Sequence, residues 1–304
     1  MTKDKSSNVA ASVRQRLLNI IHKTGDDPNL IWTRYATERL LYRLSISEDA
    51  GTFVLKGAML FVAWTGRAYR PTADIDFLGH GENSSKQIQK IFQNVCCIDA
   101  EPDGLVFDPN TVAAAPINEA REYQGQRVTL TAFLGKARIP VQADVGFGDV
   151  VTPKAKKISY PTLLKLPAPK IRAYPRESVI AEKFQAMVIL GIANSRMKDF
   201  YDLYVLARDF TFDGTTLVQA MEATFKRRKT DIPEKPPLAL TSEFSHNDVK
   251  SKQWKAFIRK SGIEDAPDIS KVLSSLMAFL LPLLRASVDK TFTLSEWKPG
   301  GPWK

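Results

Sequence analysis

Asp74-Ile75-Asp76-Phe77 is the stretch that most constrains this chain. Acidic and apolar residues alternate, and along an extended strand successive side chains point to opposite faces. Asp74 and Asp76 therefore share one face, while Ile75 and Phe77 enter a core on the other. Two carboxylates fixed side by side repel each other unless a cation lies between them. Oxygen donors of this kind suit Mg²⁺. Upstream, Phe53-Val54-Leu55 is a short β-branched and aromatic run that predicts a strand. Gly57 breaks it, and Ala58 to Trp64 is rich in helix formers. The start of such a helix offers unpaired N–H groups and a positive dipole end, both suited to phosphate. A phosphate cradle followed by a carboxylate pair is what metal-assisted phosphoryl or nucleotidyl transfer requires.

Helical periodicity marks Val9–His22 and a second helix from Pro28 to Leu44, both expected to pack over the strand of the acidic pair. Arg34, Arg39 and Arg43 of the second helix read as solvated charges. A helix over Ser84–Val95 and strands over Val106–Ile117, Gln126–Phe133 and Arg138–Phe147 follow, with Gly135 as a turn and His80 in a loop. From Val150 to Arg176 there are seven cations, five prolines and no acidic residue. That density of proline predicts an extended connector, and its charge suits either solvent or a phosphate backbone. Lys154, Lys156, Lys157, Lys170 and Arg172 are the candidate phosphate-backbone contacts there.

The remainder predicts helices over Glu177–Met187, Ser195–Leu206, Thr215–Lys229, His246–Ser261 and Asp268–Val288. Asp199 and Asp202 fall on one helix face, and on pattern alone Lys183 and Asp199 read as an exposed ion pair. Lys226 to Lys229 together with Lys250, Lys252, Lys255, Arg259 and Lys260 predict a second basic surface, with Trp254 and Phe257 in the core. The tail from Trp297 is expected to be flexible or loosely docked.

Two blocks carry a resemblance. Leu55-Lys56-Gly57-Ala58 with Arg70-x-Thr72-x-Asp74-Ile75-Asp76 is the first, and Ala181-Glu182-Lys183 with Arg196-x-x-Asp199-x-x-Asp202-Leu203 is the second. Both resemble the AbiEii/AbiGii toxin family, which includes the MenT-type toxins and has a DNA polymerase β-like nucleotidyltransferase fold. The chain departs from many polymerase β-like enzymes in having Gly57-Ala58 where they have Gly-Ser or Gly-Gly, so only main-chain N–H groups remain to meet phosphate.

The resemblance implies an α/β (α+β) chain: a mixed sheet with flanking helices in a nucleotidyltransferase domain over 1–155, then a mainly helical domain over 156–304 contributing to the active-site cleft. It implies transfer of NMP from an NTP to an RNA acceptor, commonly a tRNA 3′ end, with Mg²⁺ as cofactor (one or two ions, Mn²⁺ substituting). Asp74, Asp76 and a third carboxylate would hold metal. Asp144 leads for that third place, ahead of Asp149 and Asp108. Lys56, Gly57, Ala58, Arg70, Thr72 and Lys183 would bind NTP phosphates, and Asp199 would orient Lys183 or a metal-bound water. A cognate antitoxin, commonly a winged-helix protein, is the implied partner. Modification of a protein hydroxyl or small molecule, and non-catalytic nucleic-acid binding, are the alternatives.

Composition narrows the partners. The net charge of +10 over 304 residues points to nucleic acid. Adjacent Cys96 and Cys97 suit neither a structural disulfide nor a zinc site. With no signal-like apolar segment at the start and no long uncharged run, a cytoplasmic protein without a membrane span is expected.

Overall fold

The computed structural model describes residues 2–117 and 125–304, with the side chains of 2–7 left aside. Two compact units emerge: Met1–Gly148 with Lys156–Ala173, and Asp149–Ala155 with Tyr174–Lys304.

In the first unit, α1 (Thr2–Thr24) and α2 (Pro28–Ile46) precede β1 (Phe53–Lys56), α3 (Met59–Thr65), β2 (Asp74–Gly79) and α4 (Ser85–Cys96). Then come β3 (Leu105–Pro116), β4 (Gln126–Leu134), β5 (Ala137–Phe147), β6 (Lys156–Ser159) and β7 (Lys170–Ala173). Asp27 caps α2 by accepting from the Asn29 and Leu30 amides, and Ser84 caps α4 through Gln87. The strands form one mixed sheet in the order β3-β4-β5-β2-β1-β7-β6. β2 runs antiparallel to β1 and parallel to β5, and β1 runs parallel to β7. Strand β2 alternates as its sequence requires: Ile75 and Phe77 are fully buried, Asp74 is exposed and Asp76 half-buried. Phe77 packs on Phe53 and, from α4, Phe92.

The cationic stretch after residue 150 departs from the expected connector. Within it, β6 and β7 pair antiparallel and β7 extends the sheet beside β1. Lys170-Ile171-Arg172-Ala173 alternates exposed and buried, so four residues suffice for a strand whose apolar half faces the core.

Arg39 and Arg43 also differ from expectation. Both are buried. Arg43 forks onto Asp103 at 2.6 and 3.2 Å, and Arg39 donates to the Pro167 carbonyl while its guanidinium lies over the Tyr42 ring. Beside Arg39, Glu38 is 1% exposed and accepts the Leu163 amide at 2.7 Å. Burial pushes its carboxyl up to about 7, against opposing pulls from the Leu163 amide and Arg39. Because the folded value lies above the ordinary one, the stabilisation is complete below about 4.5 and lost as pH rises through about 7. The gap corresponds to ~3 kcal/mol. Glu38→Gln is expected to flatten this pH dependence and to be the more stable protein at pH 8, as read by urea unfolding. Parallel wild-type and variant profiles would refute the assignment.

The second unit contains α5 (Arg176–Leu190), α6 (Met197–Asp209), α7 (Gly214–Arg227), α8 (Ser242–His246), α9 (Asp248–Ser261) and α10 (Ile269–Val288). A two-stranded ladder, β8 (Phe212–Asp213) with β9 (Glu296–Trp297), interrupts the expected run of helices. The tail is not loose. Trp297 is buried and donates to the Ala207 carbonyl, and Trp303 stacks on Phe279 at 5.8 Å. Two members of the expected basic surface are engaged within the fold: buried Lys250 donates to the Asn194 carbonyl, and half-buried Arg228 pairs with Asp149 and Glu182. Trp254 is buried and Phe257 packs on it, as their spacing suggests. Helix α10 is long and apolar enough to cross a membrane by length and composition, with mean hydropathy 1.5. Lys271 and Arg285 interrupt it, so the sequence has no long uncharged run here. Its Leu276, Phe279, Leu280 and Leu283 are buried, and it packs on α6 and α7, which marks it as the core helix of this unit. Both cysteines are free.

Candidate active site

Strand β1 ends at Lys56 and the chain turns at Gly57 with φ +76°. A Cβ at this position would collide with the Asp76 carboxylate, so glycine is required both by backbone conformation and by the carboxylate beside it. The turn leads through Ala58 into α3, where the Leu60 amide donates to the Gly57 carbonyl. Arg70 and Thr72 lie in the loop before β2, and the Thr72 hydroxyl donates to the Asp74 carbonyl at 3.4 Å.

Across the sheet, register aligns four side chains in a row. Lys56 is opposite Asp76, Asp76 opposite Asp144, and Asp144 opposite Arg127. The next row holds Asp74, Gln142 and Thr129. Paired residues project to the same face, so three carboxylates lie on one side of β2 and β5. Lys56 reaches across toward Gly146, where its Nζ would sit 3.5 Å from an added Cβ. Arg127 forks onto Asp144 with Nε–Oδ1 2.9 Å and Nη2–Oδ2 2.7 Å, and the Gln142 amide donates to Oδ1 at 3.3 Å. The hydrogen bond to Asp144, with the charges of Asp144, Asp74 and Asp76, holds Arg127 still more firmly protonated than an ordinary arginine. Among the described residues no three His, Cys, Asp or Glu side chains converge as a metal-binding group.

Of the three candidates for the third carboxylate, Asp144 is the one adjoining β2. Asp108 lies on β3, two strands beyond β5, and accepts the Asn110 amide. Asp149 belongs to the other unit and bonds Arg228 at 2.9 Å. Two hollows flank Asp74. One of about 270 Å³ is lined by Arg34, Arg67 and Tyr160, and one of about 430 Å³ by Thr111, Thr129, Thr131, Arg138 and Gln142. The same face carries cations toward the far edge: Arg172 pairs with Val54 and Lys157 with Arg172, with Lys170 two residues from Arg172. Lys156 points to the opposite face, and Lys154 belongs to the second unit.

Within that second unit, Lys183 of α5 meets both acids of α6. Its Nζ lies 2.5 Å from Asp199 and 3.0 Å from Asp202, each carboxylate being 1% exposed. Arg196 adds a second cation 2.7 Å from Asp199. The pair that pattern alone reads as surface is thus built on two buried carboxylates, with Lys183 largely covered and Arg196 reaching in from the surface. Sequence reasoning missed Arg127 and the role of Arg196. The latter had a signal, its i,i+3 spacing to Asp199. The former had none at short range.

The family model for the nucleotidyl transferase AbiEii toxin of type IV toxin–antitoxin systems matches residues 39–278. The chain belongs to the AbiEii family. As an AbiEii-family protein it is a nucleotidyltransferase toxin, and with that family come a nucleotide substrate and a cognate antitoxin. Among curated proteins no sequence matches the chain. A Helicobacter pylori protein described as a nucleotidyltransferase shares 12% identity at TM-score 0.51, over 87% of this chain and 99% of that one. H. pylori JHP933 shares 13% identity at TM-score 0.48, over 85% of this chain and 94% of that one. The first of these likenesses bears on the fold, an α/β mixed sheet with helices.

Proposed function

We propose that this AbiEii-family enzyme is a divalent-cation-dependent toxin that moves a nucleoside monophosphate from an NTP to RNA, with a tRNA 3′ end as acceptor. The observation that carries the reading is the Asp74–Asp76 pair on one sheet face, beside a turn where position 57 has no side chain. An all-oxygen donor pair with bare backbone close by fits Mg²⁺ or Mn²⁺ carried in with a polyphosphate. When bound, the ion supplies neutralising charge at the reacting phosphate.

The chain's own groups perform the other tasks. Asp74 and Asp76 hold the ion. The main-chain N–H groups after Gly57 meet phosphate oxygens, helped by Lys56, Arg70 and Thr72. Asp144 aligns or deprotonates the acceptor hydroxyl, and Lys183, fixed by Asp199 and Asp202, presents a cation suited to triphosphate. RNA is favoured by the charge of +10 and by Lys157, Lys170 and Arg172 sharing the carboxylate face. Lys154 and Lys156 add to the overall positive charge of the chain.

Incubation with each labelled NTP and total RNA, with and without EDTA, tests the reading. Chelator-sensitive label in RNA is expected. Label confined to protein or small molecules would remove the RNA acceptor, and no transfer from any NTP would remove the whole proposal.

The cationic face gives a separate prediction. Reversal of Lys157, Lys170 and Arg172 to Glu is expected to make the log–log salt dependence of RNA binding shallower by roughly 2, at ~0.7 for each phosphate no longer neutralised. Pyrophosphate exchange is expected to remain. An unchanged salt slope would move the RNA track elsewhere.

A further inference from the structure

The sheet face that bears the acidic pair continues beyond it over β5, β4 and β3. Asp144 is opposite Arg127 and Gln142 opposite Thr129, then Pro140 is opposite Thr131. In the last row Arg138 is opposite Phe133, which is itself opposite Val106. Cross-strand partners share a face, and successive rows stand roughly 7 Å apart, two residues of strand rise. The other face is core: Leu130, Ile139, Val141 and Ala143 are all buried. On this face Thr129, Arg138 and Pro140 are exposed, Phe133 and Gln142 are half-buried, and Val106 is 64% exposed. The hollow of about 430 Å³ lies here, reaching from the row of Asp74 to that of Arg138. Its wall on β3 is the irregular stretch between Asp108 and Ala113. Thr111 holds that stretch in place, donating to the Asp108 carbonyl at 2.7 Å and accepting the Thr131 amide at 2.9 Å. The acid of this stretch, Asp108, is turned onto its own loop, where it accepts the Asn110 amide.

Nucleotidyl transfer places the attacking and leaving oxygens on opposite sides of the phosphorus. Gly57 follows β1, on one side of β2, while β5, β4 and β3 lie on the other. With pyrophosphate leaving over Gly57, the hydroxyl arrives over β5, beside Asp144. An aromatic ring next to an exposed arginine, on an open sheet face, suits one partner chemistry. Bases of single-stranded RNA stack on such a ring, and a guanidinium meets the adjoining phosphate. We propose that the outer face of β5, β4 and β3 is where the single-stranded 3′ end of the RNA acceptor lies, with Phe133 stacking a base and Arg138 meeting phosphate. Thr129 and Gln142, nearer Asp144, face the terminal ribose. Lys157, Lys170 and Arg172 lie across β2 and β1 and meet the body of the RNA rather than its end. The inference rests on the RNA-acceptor reading given above, and deepens it by placing the acceptor's end.

The test compares the full chain's affinity for intact tRNA and for the same tRNA with its 3′-terminal nucleotides removed, by fluorescence anisotropy. Wild type is expected to favour the intact RNA by about tenfold, the order of one base stacked on an aromatic ring. Phe133→Ala and Arg138→Ala are each expected to lose most of that preference while binding the trimmed RNA as wild type does. Phe133→Tyr, which keeps the ring, is expected to retain it. Equal binding of both RNAs by wild type, or an undiminished preference in both alanine variants, would overturn the inference while leaving RNA as the acceptor. Absence of label from RNA in the transfer assay above would instead overturn the RNA reading itself. Should Phe133→Ala fail to fold, as judged by its thermal transition, Arg138→Ala decides alone, since its side chain is exposed.

Discussion

Asp76→Asn is expected to lower nucleotidyl transfer by at least about 10³-fold, the order associated with removing a preorganised group that stabilises developing charge. Asp76 has the most constrained position of the acidic set. Its carboxylate fills the space left by the missing side chain of Gly57, and its strand neighbours on the two sides are Lys56 and Asp144. The amide is nearly isosteric, so the packing against Gly57 survives and the fold is expected to melt at the wild-type temperature or slightly above, because repulsion from Asp74 and Asp144 is relieved. Asp74→Asn is expected to behave alike in activity, with less effect on stability because Asp74 is exposed. Turnover and thermal unfolding on the same preparation check both statements. Normal Mg²⁺-dependent turnover by Asp76→Asn would remove the central claim about the site.

Lys183→Ala is expected to cost both stability and activity. Lys183 is shared by two carboxylates that are each 1% exposed. Removing one partner of a buried ion pair typically costs ~3–5 kcal/mol, because the opposite charge stays behind in a poorly solvated place. Arg196 compensates in part, since it reaches Asp199 but is 45% exposed. If Lys183 also binds triphosphate, the transition state loses a further ~2–4 kcal/mol. Urea unfolding and initial rates separate the two effects. A second variant guards against simple misfolding: Asp202→Asn keeps the Lys183–Asp199 contact and is expected to retain most stability. Wild-type stability in Lys183→Ala would show that the buried pair contributes nothing net.

Legibility in the sequence followed the range of the determining contact. The acidic pair was readable because its strand needs only period-2 alternation over four residues, and the structure keeps Ile75 and Phe77 inside. The helix starts at Pro28 and Ser84 were equally accessible, because the caps that fix them, Asp27 and Ser84, act within three residues. Arg39 and Arg43 looked like a solvated stripe because their partner, Asp103, stands 60 residues from Arg43. Arg127 and Asp144 are 17 residues apart, and their meeting depends on the β4–β5 register, which the hairpin turn sets. Strand β7 was hidden by length: four residues with two cations resemble a linker until Ile171 and Ala173 are seen to face inward. The tail misled because Gly and Pro flank two tryptophans, and the tryptophans decide the outcome.

Strand β6 ends the sheet order and presents Lys156 and Lys157 to solvent. Unpaired strand edges are templates for aggregation, and lysines on such an edge discourage a second copy from adding itself. At the opposite end, β3 is irregular between Asp108 and Ala113, and a bulged edge gives a poor template as well. The two lysines thus bear on colloidal behaviour as much as on any polyanion. Neutralising them would weaken both roles at once, whereas reversing Lys157 to Glu keeps the edge charged and leaves it protected from edge-to-edge pairing.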